Sequence, residues 1–165
     1  MKATVRRHPT TMQVSVSSRL LAEWWTASLG LGVNCYTQRV PDAIWPAPVD
    51  HKRALLAGMW LGDGSWSYVS GGPSVVLEYG TVSRELADGV LRLLAELGIV
   101  ARLKVGRTRK STVDTYWLTI SEADQVEQVL DFVKPGEREQ ILAAIGRQKK
   151  RIAPTGYRRQ GTTAW

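Results

Sequence analysis

The sequence predicts an α+β fold in which helices alternate with pairs of antiparallel strands. Three observations predict it. Apolar residues recur at helical spacing in separate segments, as in Leu86, Val90, Leu93, Leu94 and Leu97. Other short segments alternate with period two, as in Ile99, Ala101, Leu103 and Val105 against Val100, Arg102 and Lys104. From residue 51 onward these segments follow the order αββαββα. The chain of 165 residues is 44% hydrophobic and 22% charged, enough to bury one core without staples and unlike a disordered chain.

The elements follow in order. Met12 to Val16 alternates and reads as a short strand. Ser17 or Ser18 caps a helix to about residue 29, with Leu21, Trp24, Trp25 and Leu29 at helical spacing. Gly30 and Gly32 end it. Residues 34–50 hold Pro41, Pro46 and Pro48 without periodicity, an extended connector. Residues 51–62 form a second helix, apolar nearly all round after its first turn and therefore expected to be buried. Residues 65–69 and 74–79 are two strands around a Gly-Gly-Pro turn. Ser83 caps a third helix to residue 97, and Gly98 sits just past its end. Residues 99–105 and 115–120 form a second hairpin around a basic turn. Ser121 caps a fourth helix with Glu122 and Asp124 in its first turn, where the dipole favours acids. A fifth helix covers 137–150, and a basic tail without periodicity follows, expected to be mobile. Ser18-Arg-Leu-Leu-Ala-Glu23 echoes Ser83-Arg-Glu-Leu-Ala-Asp88 at an offset of 83 − 18 = 65, which reads as a partial duplication.

The formal net charge is +7, which favours a polyanionic partner, nucleic acid before membrane. The excess lies in the two chain ends and in the block Arg102, Lys104, Arg107, Arg109 and Lys110, where Asp114 is the only acid between 101 and 120. A solvated turn is the plain alternative for that block. One cysteine, Cys35, excludes an internal disulfide and a Cys-rich zinc site. Two histidines are too few for a His-based metal site. The N-terminus lacks an apolar run, and no stretch is long and apolar enough to span a bilayer. The expectation is a cytoplasmic protein with no membrane partner.

The most informative segment is Leu56-Ala-Gly-Met-Trp-Leu-Gly-Asp-Gly64. Ala54, Gly58 and Gly62, spaced by four, form a small-residue stripe that lets another helix approach closely. Each interior glycine costs about 0.5–1 kcal/mol relative to alanine, so two on one face suggest a packing reason. Asp63 ends the helix, where the dipole disfavours a carboxylate. A metal ion, a Lys or Arg, or solvent must compensate.

This segment resembles the nine-residue motif of the LAGLIDADG homing endonucleases, in the spelling of intein-embedded members. Residues 81–87, 93–100, 116–121 and 132–142 resemble the elements that follow it there, so the likeness covers about 50–145. Residues 16–45 resemble the tail of a preceding repeat. The domain expectation is therefore a strand-helix-linker over 1–50, the LAGLIDADG domain over 51–150 and a tail over 151–165.

The resemblance implies an αββαββα half-domain whose four antiparallel strands form a DNA-binding saddle. Two motif helices pair through their small-residue faces, here Ala54, Gly58 and Gly62. Each brings one carboxylate to divalent metal at the scissile phosphates. Asp63 matches the metal-binding acid, with the Gly62 carbonyl as a further ligand and Mg²⁺ as the cation, for which Mn²⁺ substitutes. Lys134 and Arg138 are the candidate basic groups at the phosphate. Arg102, Lys104, Arg107, Arg109 and Lys110 would meet DNA, as would Trp66, Tyr68 and Trp117, for which ordinary strand packing is the alternative.

The implied function is site-specific cleavage of double-stranded DNA by metal-dependent phosphodiester hydrolysis. One motif supplies half a site, which leaves a homodimer, a separately encoded first half-domain or a degenerate remnant. A non-catalytic binder, an RNA maturase or transcription regulator on the same scaffold, is the alternative function, though an acid facing phosphate gains a binder nothing. A protein-interaction domain built on the Trp-rich N-terminal part is the third. No splicing residues are read at the two ends, so no self-splicing is expected.

Overall fold

A computed structural model describes residues 3–9, 12–69, 74–107 and 111–148, with residues 147 and 148 by backbone alone. It shows the mixed helix and antiparallel-sheet architecture that the sequence predicts. Strands β1 (Ala3–Arg7) and β2 (Met12–Val16) pair into a hairpin, of which the sequence predicted only the second strand. Helix α1 (Arg19–Glu23) follows, with the Ser18 hydroxyl accepting from the Leu21 amide at 3.2 Å. The predicted helix to residue 29 continues past Glu23 as a wider π-type turn over Trp24–Ser28.

The connector is more ordered than its prolines suggested. Asp42–Ile44 make a 3₁₀ turn after Pro41. Val40 is buried against Gly89, where an added Cβ would come within 2.7 Å of the Val40 side chain. The Ser83 hydroxyl donates to the Gln38 carbonyl at 2.5 Å, and the Arg92 guanidinium lies 4.1 Å over the Trp45 ring. Residues 38–45 are thus fastened along the helix that Ser83 caps, Arg84–Glu96.

Helix α2 (Val49–Asp63) runs directly into β3 (Gly64–Tyr68), which pairs with β4 (Val75–Thr81). Ser83 then caps α3 (Arg84–Glu96), its hydroxyl accepting from the Leu86 amide at 3.2 Å. Gly98 follows with φ +74, the left-handed conformation that ends a helix without a Cβ penalty. β5 (Arg102–Gly106) and β6 (Thr115–Ile120) complete an antiparallel sheet of order β3-β4-β6-β5. α4 (Ala123–Gln128) and α5 (Arg138–Gln148) close the domain. The core lies between the helices and one face of this sheet, built from Leu56, Trp60, Leu77, Tyr79, Val90, Leu93, Leu94, Leu118, Ile120, Phe132 and Ile141.

Three expectations change. α2 is not buried all round: only Leu56 and Trp60 are buried, while Ala54, Gly58, Leu61, Gly62 and Asp63 are exposed. Its apolar composition covers two faces, and only one of them meets the sheet. β5 starts at Arg102 rather than Ile99, and Leu103 and Val105 are exposed. A strand at the sheet edge has one strand neighbour, so its apolar alternation is not matched by burial. Ser121 does not cap α4: Glu122 holds that position without a side-chain cap bond. The predicted tail over 151–165 lies outside the described residues.

Candidate nucleic-acid interface and active site

The join between α2 and β3 fixes the acid. The Trp60 ring stacks on Tyr79 at 5.1 Å and on Phe132 at 5.4 Å, which pins the last turn of α2 onto β4 and the segment before α5. Trp60 Nε1 is buried with no partner among the described residues, so its ring faces, not its N–H, hold it there. Gly64 makes the exit possible. A Cβ at this position would lie 2.5 Å from the Trp60 carbonyl oxygen and 2.6 Å from Trp60 Cδ1. Arg53 anchors the same helix from its first turns, with its guanidinium bonded to Asp131 at 2.6 and 2.8 Å and donating to the Gln128 carbonyl. Lys52 reaches Glu96 of α3 at 2.7 Å.

Asp63 therefore stands exposed at a rigidly held helix end. Its carboxylate makes no hydrogen bond or ion pair with another described residue. The last carbonyls of a helix lack intrahelical partners, and the dipole places partial negative charge there. Carboxylate and helix end together attract a cation. The charge is felt inward as well: burial first, and the Asp63 charge second, raise the Tyr79 phenol above its ordinary value of 10.0. Among the described residues no cluster of three His, Cys, Asp or Glu side chains forms. Among the described residues Asp63 is the carboxylate at this helix end, and Mg²⁺ is held by one or two with water completing its shell. The donor set fits half of such a site.

Beside this end lies an open cleft of about 270 Å³, lined by Leu61, Gly62, Gly64, Lys134 and Glu137 among others. The structure separates the two basic candidates here. Lys134 is exposed and lines the cleft. Arg138 is half-buried, and its Nε donates to the Val133 carbonyl at 3.3 Å, outside the cleft lining. The stripe of Ala54, Gly58 and Gly62 is bare: a Cβ at Gly58 or Gly62 would meet nothing within 4 Å. Leu61, 43% exposed, flanks it.

Sheet register sorts the remaining candidates. Directly opposed residues in antiparallel strands share a face. The pairs Lys104–Trp117, Arg102–Thr119, Gly80–Trp117, Glu78–Thr119 and Ser65–Glu78 place these residues on the face turned away from the core. The pairs Gly64–Tyr79, Trp66–Leu77 and Tyr68–Val75 lie on the core face. The structure therefore brings Arg102, Lys104 and Trp117 together and sets Trp66 and Tyr68 on the other side. Trp66 packs on the core and meets Tyr68 edge-on at 5.4 Å. Lys104 Nζ lies 5.7 Å over the Trp117 ring. Arg107 is held by Asp114 at 2.7 Å. Arg109 and Lys110 lie outside the described residues.

Sequence reasoning missed Ser65, Ser67, Glu78, Thr115 and Thr119 on the open face. Their signal was present, because they share parity with Lys104 and Trp117 once the strands are paired.

The LAGLIDADG-like domain matches residues 50–134, just over half of the chain. The chain belongs to the LAGLIDADG family. That family is of the homing-endonuclease and maturase type; its members are usually nucleases, bind DNA, often dimerise and generally use divalent metal. The chain is 32% identical over 152 residues to uncharacterized protein MJ1054 of Methanocaldococcus jannaschii. It is 31% identical over 147 residues to an iron-sulfur cluster assembly SufBD family protein of Mycobacterium leprae. It is 37% identical over 83 residues to the replicative DNA helicase DnaB of a Nostoc species. These matches cover 92%, 86% and 49% of the chain but only 17%, 16% and 9% of those proteins. The LAGLIDADG match spans α2, all four strands of the larger sheet, α3 and Lys134. Among the described residues no helix is long and apolar enough to cross a membrane.

Proposed function

We propose that this chain is one half of a site-specific, metal-dependent endonuclease for double-stranded DNA. The observation that carries the reading is Asp63: an exposed, unpaired carboxylate at the negative end of a rigid helix, beside a cleft that contains Lys134. Asp63, with the Gly62 carbonyl, would hold a divalent cation, Mg²⁺ or Mn²⁺. When bound, that cation supplies Lewis-acid polarisation of a phosphoryl oxygen and a lowered water pKa.

The chain's own residues do the rest. Lys134 sets a positive charge beside the scissile phosphate. Arg138, bonded to the Val133 carbonyl, orients the segment that carries Lys134. Arg102 and Lys104 neutralise phosphates or read guanine edges, and Glu78 on the same face can accept from a cytosine amino group. Trp117 backs Lys104, while Thr115, Thr119, Ser65 and Ser67 offer hydroxyls to the groove. The face of Ala54, Gly58 and Gly62 packs on a second motif helix, from a second copy or from a separately encoded first half, which brings the second carboxylate.

The comparisons support a mobile element. Proteins named for iron-sulfur assembly and for helicase activity share no chemistry, yet each matches this chain over a small part of its length. A segment carried into different hosts would give that pattern. We place its action on DNA in the cytoplasm.

A selection on a randomised duplex library with Mg²⁺ tests the reading. Wild type is expected to enrich cut fragments sharing one site. A protein that enriches bound duplexes and cuts none with Mg²⁺ or Mn²⁺ is a binder of the maturase or regulator kind, and the endonuclease reading fails.

A further inference from the structure

Trp117 has a glycine at each end of its ring. Its directly opposed residue on β4 is Gly80, and on β5 it is Lys104. Gly106 pairs with Thr115, two residues along β6 from Trp117, and so shares the same open face of the sheet. A Cβ at Gly80 would stand 3.4 Å from Trp117 Cδ1 and 3.6 Å from its Nε1, at the pyrrole end of the ring. A Cβ at Gly106 would stand 3.3 Å from Cζ3 and 3.9 Å from Cη2, at the benzene end. A ring standing upright could not bring both ends down to the level of a Cβ. The indole is therefore laid across the strands, from β4 to β5.

Neither glycine has the positive φ that would itself call for glycine. A glycine in a strand weakens it and often marks a close approach by another group. Here that group is the Trp117 ring. The core does not account for it: Trp66 and Tyr116 pack on the core cluster, whereas Trp117 is half-buried on the opposite face, outside that cluster. Lys104 Nζ lies over the ring, 5.7 Å from its centroid. Arg102, Thr115 and Thr119 share the face around it. A flat aromatic surface is thus bordered by cations and hydroxyls.

A duplex has no use for such a surface. Paired bases show a groove only their edges, and their faces are stacked on one another. An aromatic ring meets the face of a base that has left the stack, which is how sheets and grooves with exposed aromatics bind single strands. We infer that the open sheet face also binds single-stranded DNA, with one unstacked base lying on Trp117 and its flanking phosphates held by Lys104 and Arg102. Gly80 and Gly106 position the ring by letting it lie down. The inference goes beyond duplex cleavage and rests on the reading of this face as the one turned to DNA.

The test measures binding of the full chain to a single strand of about 12 nucleotides, to the duplex of the same sequence and to an abasic strand of the same length. Trp117→Leu should weaken the single strand at least about tenfold more than it weakens the duplex. Trp117→Phe should recover most of that loss. On the abasic strand, wild type and Trp117→Leu should bind alike, because only phosphates remain to be held. In wild type the Trp117 indole N–H resonance, assigned against Trp117→Phe, should move upfield with the base-bearing strand and stay in place with the abasic one. Equal weakening of duplex and single strand by Trp117→Leu would overturn the inference, since the ring would then contact base edges. An abasic strand bound by wild type as tightly as the base-bearing one would also overturn it. So would RNA of the same sequence bound tenfold more tightly than the DNA strand. Duplex binding that persists while the single strand is ignored sinks this inference alone; loss of both sinks the reading of the open face as well.

Discussion

Asp63 and Tyr79 meet across the join of α2 and β3, and their coupling can be read spectroscopically. Burial and the nearby carboxylate both hold the Tyr79 phenol neutral above pH 10.0. Stability from this group is complete below the unfolded tyrosine value and falls as pH rises through the higher folded value. Asp63→Asn removes the charge and leaves the burial. Its Tyr79 ionisation, assigned against Tyr79→Phe by ultraviolet titration, should move down part of the way toward 10.0. An unchanged midpoint would mean that the two groups do not sense each other. Gly64→Ala forces a Cβ against the Trp60 backbone and should destabilise by about 1–3 kcal/mol in urea unfolding. At this scale the sequence was informative about Asp63 and Gly64, because their identities alone limit what a helix end can be. It did not orient Trp66 and Tyr68, since alternation separates two faces without saying which one meets the core. Pairing Trp66 with Leu77 settles that.

Elements depart from sequence expectation where neighbours, and not composition, decide burial. α2 and β5 both look like core segments, and each leaves an apolar surface bare. For α2 the bare surface is the one proposed to pair with a second motif helix, so Gly58→Leu should abolish association while the circular dichroism spectrum stays unchanged. Unaltered sedimentation of that variant would count against the small-residue interface. For the sheet, Arg102→Ala and Lys104→Ala should each weaken duplex binding across sequences and lower the salt slope by about one. Trp66→Ser should instead act through stability, because its ring lies on the core side. Loss of DNA binding by folded Trp66→Ser, with Arg102→Ala and Lys104→Ala neutral, would place the interface on the wrong face.

For the whole molecule, the order of helices and strands from residue 51 onward was legible because caps and periodicities agree at nearly every boundary. Ser83, Gly98 and the Leu86–Leu94 stripe point to the same helix, and Thr115–Ile120 is a strand by both pattern and pairing. The packing of residues 38–45 onto α3 was not legible, because it depends on Val40 meeting Gly89, a contact between segments far apart in the chain. The partner strand of Met12–Val16 was missed because Ala3–Arg7 mixes bases with apolar residues. What emerges is a domain with a packed core and, on the proposed reading, half of a cleavage site, to which Asp63 brings one acid where hydrolysis of both strands needs two. The most direct test measures binding and cleavage together on a selected duplex with Mg²⁺, for wild type and Asp63→Asn in the assembled state. The account predicts that Asp63→Asn binds within about twofold of wild type and cuts at least about 100-fold more slowly, since loss of even an outer partner of a metal ligand costs 10–100-fold. Equal cleavage by the two proteins would contradict it.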